Sequence, residues 1–595
     1  MTKLRLASLC AFLALAFMCP RWVAVSGQVA PATLDGLWEA KMRFGPDITG
    51  TLILKQVGKS WVAEISGHTA IANVSGDDVS FELAAGQGKF VGGFDARRNR
   101  ITGHWRQADS PDGGSYLSPV TLDKNADGEF RGTLMPLPTA MTFFLVVKKR
   151  DDGTTAAFIR NPERNLGWTQ FRVNYLERDG DAVKLFAANT ATAKGRLLAS
   201  GRYDGETDTL HIYFPSRGGT YDFRRIGPEE ATDFYPRGRP GVQYSYSVPP
   251  AFGDGWPIAS VDEVGLSRAA VEKFIQEFID VPQDSIDSPQ IHGILIARHG
   301  KLVVEEYFHG ENRERAHETR SASKSIASDT AGAAIQSGVA LSASSSVYKV
   351  MNGGEFPADL EPRRRSMTLE NLMSMSSGLD CDEGNDKSLG YEDNFWDNQE
   401  QEPDFYKKTL ALPMVRDPGA ERVYCSASAN LTAGVVSTAA KKPFRDLFRE
   451  LIADPLGISR YYFISMPNAD AYMGGGARLL PRDFMKLAQV HINGGTWHGR
   501  RIYSQEWSRV STSVLNKVPF SKQDYGYLWW SQTYDFHDKP LRVYYASGNG
   551  GNLVFGIPDL DMVVAIYAAN QNHRVGLDIQ NVYIPKYILP LVSKH

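Results

Sequence analysis

The chain has 595 residues, 42% of them hydrophobic and 11% aromatic, enough for two or three packed domains and unlike a disordered composition. A formal net charge of −3 and a pI near 6.5 leave no basic surplus for nucleic acid, and no DNA- or RNA-reading motif occurs. The run Arg363-Arg364-Arg365 reads as a solvated loop.

Lys3 and Arg5 precede an apolar run from Leu6 to Met18, followed by Pro20 and the small residues Ala24 and Ser26. That order is a secretory signal peptide, expected over 1–26, and it predicts a secreted or periplasmic mature chain. The run is shorter than the roughly 20 residues a bilayer needs, and no later segment is apolar enough, so no membrane span is expected after signal removal. Cys10 and Cys19 leave with the signal. Cys381 and Cys425 remain, and whether they meet in space is open at this point. No CxxC, HxxxH or HExxH spacing occurs, so neither a metal site nor a cofactor is expected.

Residues 31–227 read as an all-β region. Thr51–Lys55 and Ser60–Ile65 are short and β-rich, with a turn at Val57-Gly58-Lys59. There is an internal echo: Gly93-Phe94-Asp95 leads through a polar turn to Ile101–Trp105, and Arg202-Tyr203-Asp204 leads through Gly205–Asp208 to Leu210–Phe214. Either a duplicated antiparallel module or one large barrel-like sheet would produce it. A Pro-, Gly- and Tyr-rich linker is expected over 228–257. From 258 to 595 the texture changes. Ser267 can cap a helix whose apolar residues Val271, Phe274, Ile275, Phe278 and Ile279 recur at the helical period. Gly293–Ala297 and Leu302–Phe308 then flank His299-Gly300-Lys301 as a hairpin, and strands and helices mix to the C-terminus in an α+β pattern.

The chemistry concentrates at Arg320-Ser321-Ala322-Ser323-Lys324-Ser325, which opens an Ala- and Ile-rich helix ended by Gly338. Three residues apart on a helix, Ser321 and Lys324 project from one face. A serine hydroxyl becomes a nucleophile when a base removes its proton, and a partly desolvated lysine can be that base. Ser-x-x-Lys arises by chance in a chain of this length, but here it sits on a small-residue helix rather than a charged one.

These residues, with Tyr307-Phe308-His309-Gly310 before them and Thr368–Asp380, Pro418-Gly419, Tyr424-Cys425-Ser426 and Gly474–Leu479 after them, resemble the serine β-lactamase-related hydrolases. That superfamily includes class C β-lactamases, D-alanyl-D-alanine peptidases, β-lactamase-like esterases and 6-aminohexanoate-dimer hydrolases. The resemblance covers about residues 260 to 595 and implies an antiparallel sheet flanked by helices, with a helical sub-region. It implies catalytic roles for Ser321, Lys324 and Tyr424, the last being the tyrosine of a Tyr-x-Asn motif whose asparagine is here Ser426. The third motif, normally Lys-Thr-Gly or His-x-Gly, falls in Tyr544–Asn552, and Ser547, Gly548 and Asn549 are the expected substrate or oxyanion contacts together with Ser426. That stretch has no Lys, Arg or His. A cation there helps hold a substrate carboxylate, so its absence favours a small-molecule ester, amide or peptide-like substrate over a β-lactam. The alternative is a catalytically weak penicillin-recognising protein, or one whose β region binds cell wall or carbohydrate. No Gly-x-Ser-x-Gly elbow occurs, and His309 reads as a hairpin-end or core residue.

Overall fold

The structure, a computed structural model, describes residues 33–45, 48–95, 99–110, 114–187, 195–517 and 522–592. The expected signal peptide lies outside the described residues.

The β region is two closed barrels, one nested in the sequence of the other. Gly36–Arg43 pairs with both Ala140–Lys149 and Gly219–Ile226, closing an antiparallel barrel whose remaining strands follow in chain order. Between Gly36–Arg43 and Ala140–Lys149 the chain runs through a second unit, from Gly50–Val57 to Phe130–Leu134, whose last strand pairs back onto its first. The two echoing sequences are hairpins of different barrels, turning at Asp95↔Arg100 and Asp204↔Thr209. The echo comes from two separate barrels, not from one large sheet. Gly58 takes the left-handed conformation (φ 62°) that the Val57–Ser60 turn requires. Strand alternation sends Leu52 and Leu54 inward, and Phe81, Phe90, Ile101, Trp105 and Leu122 join them. Trp38, Phe143, Leu145, Ile159, Leu185 and Phe223 fill the outer barrel in the same way. Eight-stranded barrels leave room for about this much side chain, so both interiors are packed cores.

The segment after the barrels is a strap rather than a free tether. The Tyr246 hydroxyl donates to Val303 O (2.9 Å) and Trp256 Nε1 donates to Arg482 O (3.0 Å), and both rings are buried. Ser267 caps the helix Arg268–Ile279, accepting from Ala270 N, and this helix buries all five of the residues its period picks out.

An eight-stranded antiparallel sheet forms the centre of the second half, with Ile291–Arg298 beside Met562–Ala568 and Asn552–Ile557 beside Lys539–Gly548. Ile291–Arg298 is buried along its whole length. Ile294 and Ile296 face the helix Arg268–Ile279 and the C-terminal residues Ile584 and Ile588, whereas Leu295 and Ala297 face Ile326 and Ala331 of the helix Lys324–Gln336. The helical sub-region centres on Ser426–Ala440, which packs on Lys324–Gln336. Cys381 and Cys425 form a disulfide, which settles their pairing.

The halves share a sheet. Tyr116–Lys124 of the inserted barrel pairs with Tyr461–Ile464 through Leu117↔Phe463 and Tyr116↔Ile464. Tyr461–Ile464 pairs with Arg478–Leu479, and that with His317–Glu318, which ends three residues before Ser321.

Candidate active site

Ser321 sits in a 3₁₀ turn, Arg320–Ser323, that runs directly into the helix Lys324–Gln336. The expected common face is present: Lys324 Nζ donates to Ser321 Oγ at 2.9 Å. Lys324 is 1% exposed, so its ammonium depends on partners inside the protein. One is the carbonyl of Gly474, which accepts a second hydrogen bond from Nζ. Another charge nearby is Glu392. Burial raises its carboxyl above the usual range, with the Lys324 ammonium working the other way, and the Tyr472 hydroxyl donates to it at 2.6 Å.

The turn is held under backbone strain. Arg320 has φ 51°, a left-handed conformation unfavourable for a non-glycine residue, immediately before the candidate nucleophile. Its carbonyl accepts from Gly476 N (3.1 Å) and Ser323 Oγ (2.9 Å). Its guanidinium pairs with Glu318 at 3.0 Å. Glu318 is buried, which disfavours its charge, but Arg320, Arg478 and Arg164 outweigh burial and bring its carboxyl down to about 2.

Tyr424 joins this group. The Lys324 ammonium lies 5.1 Å from its ring centroid, and the ring stacks on Trp530 at 5.7 Å. The Arg422 guanidinium is lodged among Tyr424, Tyr525 and Trp530, within 6 Å of each ring centroid. The disulfide closes on the next residue, and the Cys425 sulfur caps the helix by accepting from Ser428 N (3.1 Å). Ser426 opens the helix Ser426–Ala440. Its backbone N–H donates to Glu383 (2.9 Å), whose own N–H donates to Tyr424 O (3.0 Å).

Of the third-motif residues, Gly548 is packed on the Ser321 turn: a Cβ there would lie 2.1 Å from Thr319 O. Ser547, half-buried, precedes it on the strand Lys539–Gly548 and pairs with Leu553. Asn549 is turned to other work. It is exposed, donating to Asn572 Oδ1 (2.6 Å) and accepting from Asn572 N (2.8 Å). Ser321, Lys324, Tyr424 and Gly548 therefore share one locus, Ser426 adjoins it through Tyr424, and Asn549 serves a loop contact. His309 is buried with Nδ1 bonded to Phe234 O (3.0 Å), the core role its position suggested. Sequence reasoning missed Glu318, Glu383, Glu392 and Arg422. Only their proximity to motif residues marked them, and their partners lie up to 160 positions away in the case of Glu318 and Arg478.

A family model described as beta-lactamase matches residues 271–584. No curated protein matches the chain. Among solved structures it is similar to a penicillin binding protein from Bacillus halodurans, with 14% identity, coverage of 52% of this chain and 98% of that one, and a TM-score of 0.40. It is similar to the octameric penicillin-binding protein homologue from Pyrococcus abyssi, with 18% identity, 56% and 79% coverage, and a TM-score of 0.41. It is also similar to EstCE1, a hydrolase with promiscuous acyltransferase activity, with 15% identity, 54% and 98% coverage, and a TM-score of 0.41. The family model spans more than half of the 595 residues and contains Ser321, Lys324 and Tyr424, and the chain accordingly belongs to the beta-lactamase family of serine hydrolases.

Proposed function

We propose that this is a secreted or periplasmic hydrolase that cleaves an ester or amide bond through an acyl-enzyme on Ser321. The observation that carries the reading is the 2.9 Å contact between Lys324 Nζ and Ser321 Oγ, with Tyr424 stacked beside the same ammonium. Ser321 Oγ attacks the substrate carbonyl carbon and its proton passes to the Lys324–Tyr424 pair, which accepts it with one member deprotonated, as the Lys324 amine or the Tyr424 phenolate. Backbone N–H groups of Ser321 and of the strand ending at Gly548 stabilise the tetrahedral oxyanion. Collapse expels the alcohol or amine, which takes up the proton that left Ser321. Water, losing a proton to the same pair, then attacks the acyl carbon and frees the acid and the serine.

The substrate class follows from charge. Tyr544–Asn552 carries no cation, so the reading favours uncharged acyl groups over carboxylate-bearing β-lactams. The buried disulfide supports an oxidising compartment, in keeping with the order of charged, apolar and small residues over 1–26. The test is a substrate panel of 4-nitrophenyl esters, anilides and a chromogenic β-lactam, run on the parent chain and on Ser321→Ala, with fluorophosphonate labelling alongside. The reading expects Ser321-dependent ester or anilide turnover exceeding that of the β-lactam. Equal rates for parent and Ser321→Ala would refute it.

A further inference from the structure

We infer that the inserted barrel is a working part of the active site: through Tyr116, Arg478 and Glu318 it holds the backbone at Arg320 and thereby aims Ser321. This rests on Ser321 being the nucleophile.

A non-glycine residue in the left-handed region persists only when its surroundings over-determine it. At Arg320 one restraint is the ion pair to Glu318. Glu318 is itself fixed from the other side, where Arg478 Nη2 donates to its second carboxylate oxygen at 3.1 Å. Both residues lie on short strands paired with each other, Glu318↔Arg478, and only two residues long. Two-residue strands have little stability of their own.

Part of their support comes from outside the hydrolase domain. Arg478 sits opposite Tyr462 on Tyr461–Ile464, and that strand is completed by Tyr116–Lys124 of the barrel. The Arg478 guanidinium lies 5.8 Å from the Tyr116 ring centroid. Burial works against its charge, but Tyr116 and Glu318 more than compensate and raise its pKa. Tyr116, Leu137, Tyr462 and Ala316 form a small apolar cluster that closes over the junction. Ser465 N donates to Ser115 O at 2.8 Å, and Arg106 Nε to Ser465 Oγ at 3.2 Å, so the seam is bonded as well as packed. An unbroken chain of contacts therefore runs from barrel to nucleophile: Tyr116, Arg478, Glu318, Arg320, Ser321. A barrel serving only as a passenger needs none of it.

Tyr116 lies outside the family-matched region, which makes it the discriminating position. In the full-length protein, Tyr116→Ala, Tyr116→Phe and Glu318→Gln are compared with the parent for kcat, KM and the rate of fluorophosphonate labelling. Urea midpoints and circular dichroism establish that each is folded. A misplacement of about 1 Å can lower a rate on the order of a hundredfold. We expect Glu318→Gln to lose about tenfold to a hundredfold in kcat and labelling rate, with KM within about twofold. Tyr116→Ala should lose about tenfold, and Tyr116→Phe, which keeps the ring but not the hydroxyl facing Arg478, should recover part of it. Parent-like labelling in folded Tyr116→Ala would overturn the inference. So would a loss in Glu318→Gln expressed only in KM, which would make Glu318 a substrate contact. Glu318→Gln preserves size but turns one of the two accepting oxygens into an N–H donor facing an arginine, so it breaks the Arg320–Glu318–Arg478 bridge, and Tyr116→Phe keeps the barrel link testable if Tyr116→Ala does not fold. Persistent labelling or turnover in Ser321→Ala is a separate outcome: it removes the nucleophile, and the inference falls with it.

Discussion

Removing the Cys381–Cys425 disulfide, by the double change Cys381→Ala and Cys425→Ala, tests how the Tyr424 segment is held. The bridge closes a loop with a sequence separation of 44, and both cysteines are 1% exposed. In the chain-entropy account, opening a loop of that length releases about 4 kcal/mol of constraint on the unfolded chain at 25 °C. Loss of the sulfur cap on Ser428 N adds to this, by about 1 kcal/mol if it resembles other helix caps. The loss should be read as a urea midpoint lower in the double-alanine variant than in the oxidised parent. Activity should fall as well, because Cys425 lies between Tyr424 and Ser426, while Cys381 anchors the loop whose Glu383 binds the N–H of Ser426. Reductant should act slowly on the native protein, since a buried bridge is reached only after local opening. An unchanged midpoint and unchanged kcat in the double variant would refute both the energetic and the positional reasoning.

Tyr424→Phe keeps the stacking on Trp530 and deletes only the hydroxyl, so kcat should fall about 10²- to 10⁴-fold, the range for losing a proton-transfer group; parent-like turnover would remove Tyr424 from the mechanism. Gly548→Ala places a Cβ 2.1 Å from Thr319 O, which must push the strand off the Ser321 turn. A loss of at least about tenfold in labelling rate is expected, and a parent-like rate would show that the strand does not brace the turn. Acid stability is set partly by buried His292, His309 and His317, with His292 Nδ1 2.8 Å from His317 Nε2 and 3.9 Å from Glu311. Burial lowers His317 from 6.5 to about 4 and His309 from 6.5 to about 3, while burial raises Glu311 from 4.5 to about 7. As pH falls from 6.5 towards 4, the unfolded state takes up two protons these imidazoles refuse, so their contribution to stability is lost. Glu311 takes its proton earlier in the fold than out of it and returns stability between 7 and 4.5. Burial depresses His292 as well, so a third proton is refused; the net of about two protons predicts a fall of about 2.7 kcal/mol per pH unit from this cluster. His317→Gln should flatten the slope of urea midpoint against pH, and an unaltered slope would show that His317 is not its source.

What could be read from the chain alone was local. The Ser267 cap, the five-residue apolar stripe after it, the hairpin at His299-Gly300 and the three-residue spacing of Ser321 and Lys324 each depend on neighbours within a turn or two. What could not be read depends on distant residues. Lys324 is shared between Ser321 and the carbonyl of Gly474, 150 positions on. Asn549 falls in the third motif but bonds Asn572, a partner with no motif of its own. The nesting of the barrels was hidden for the same reason. Each hairpin is locally ordinary, and only the return of Ala140–Lys149 to Gly36–Arg43 shows that eight strands were inserted between them.

Nesting also explains how one chain braces two sides of a site. An inserted unit has both ends tied to its host, so it cannot swing on a single tether as a terminal domain can. The outer barrel is fixed to the hydrolase half by Arg160, which donates to Ser285 O (2.7 Å) and also bonds Gln283, and by Asn165 and Trp168, which donate to Gln571 O (3.3 Å) and Asn572 O (3.1 Å). Asn572 in turn holds Asn549 at the end of the strand that covers the Ser321 turn. The inserted barrel grips the opposite approach, through Tyr116 and the strands leading to Glu318. The Ser321 turn thus lies between two anchor points whose spacing is set by rigid, filled barrels. A strained Arg320 can be maintained there because moving it requires moving a barrel.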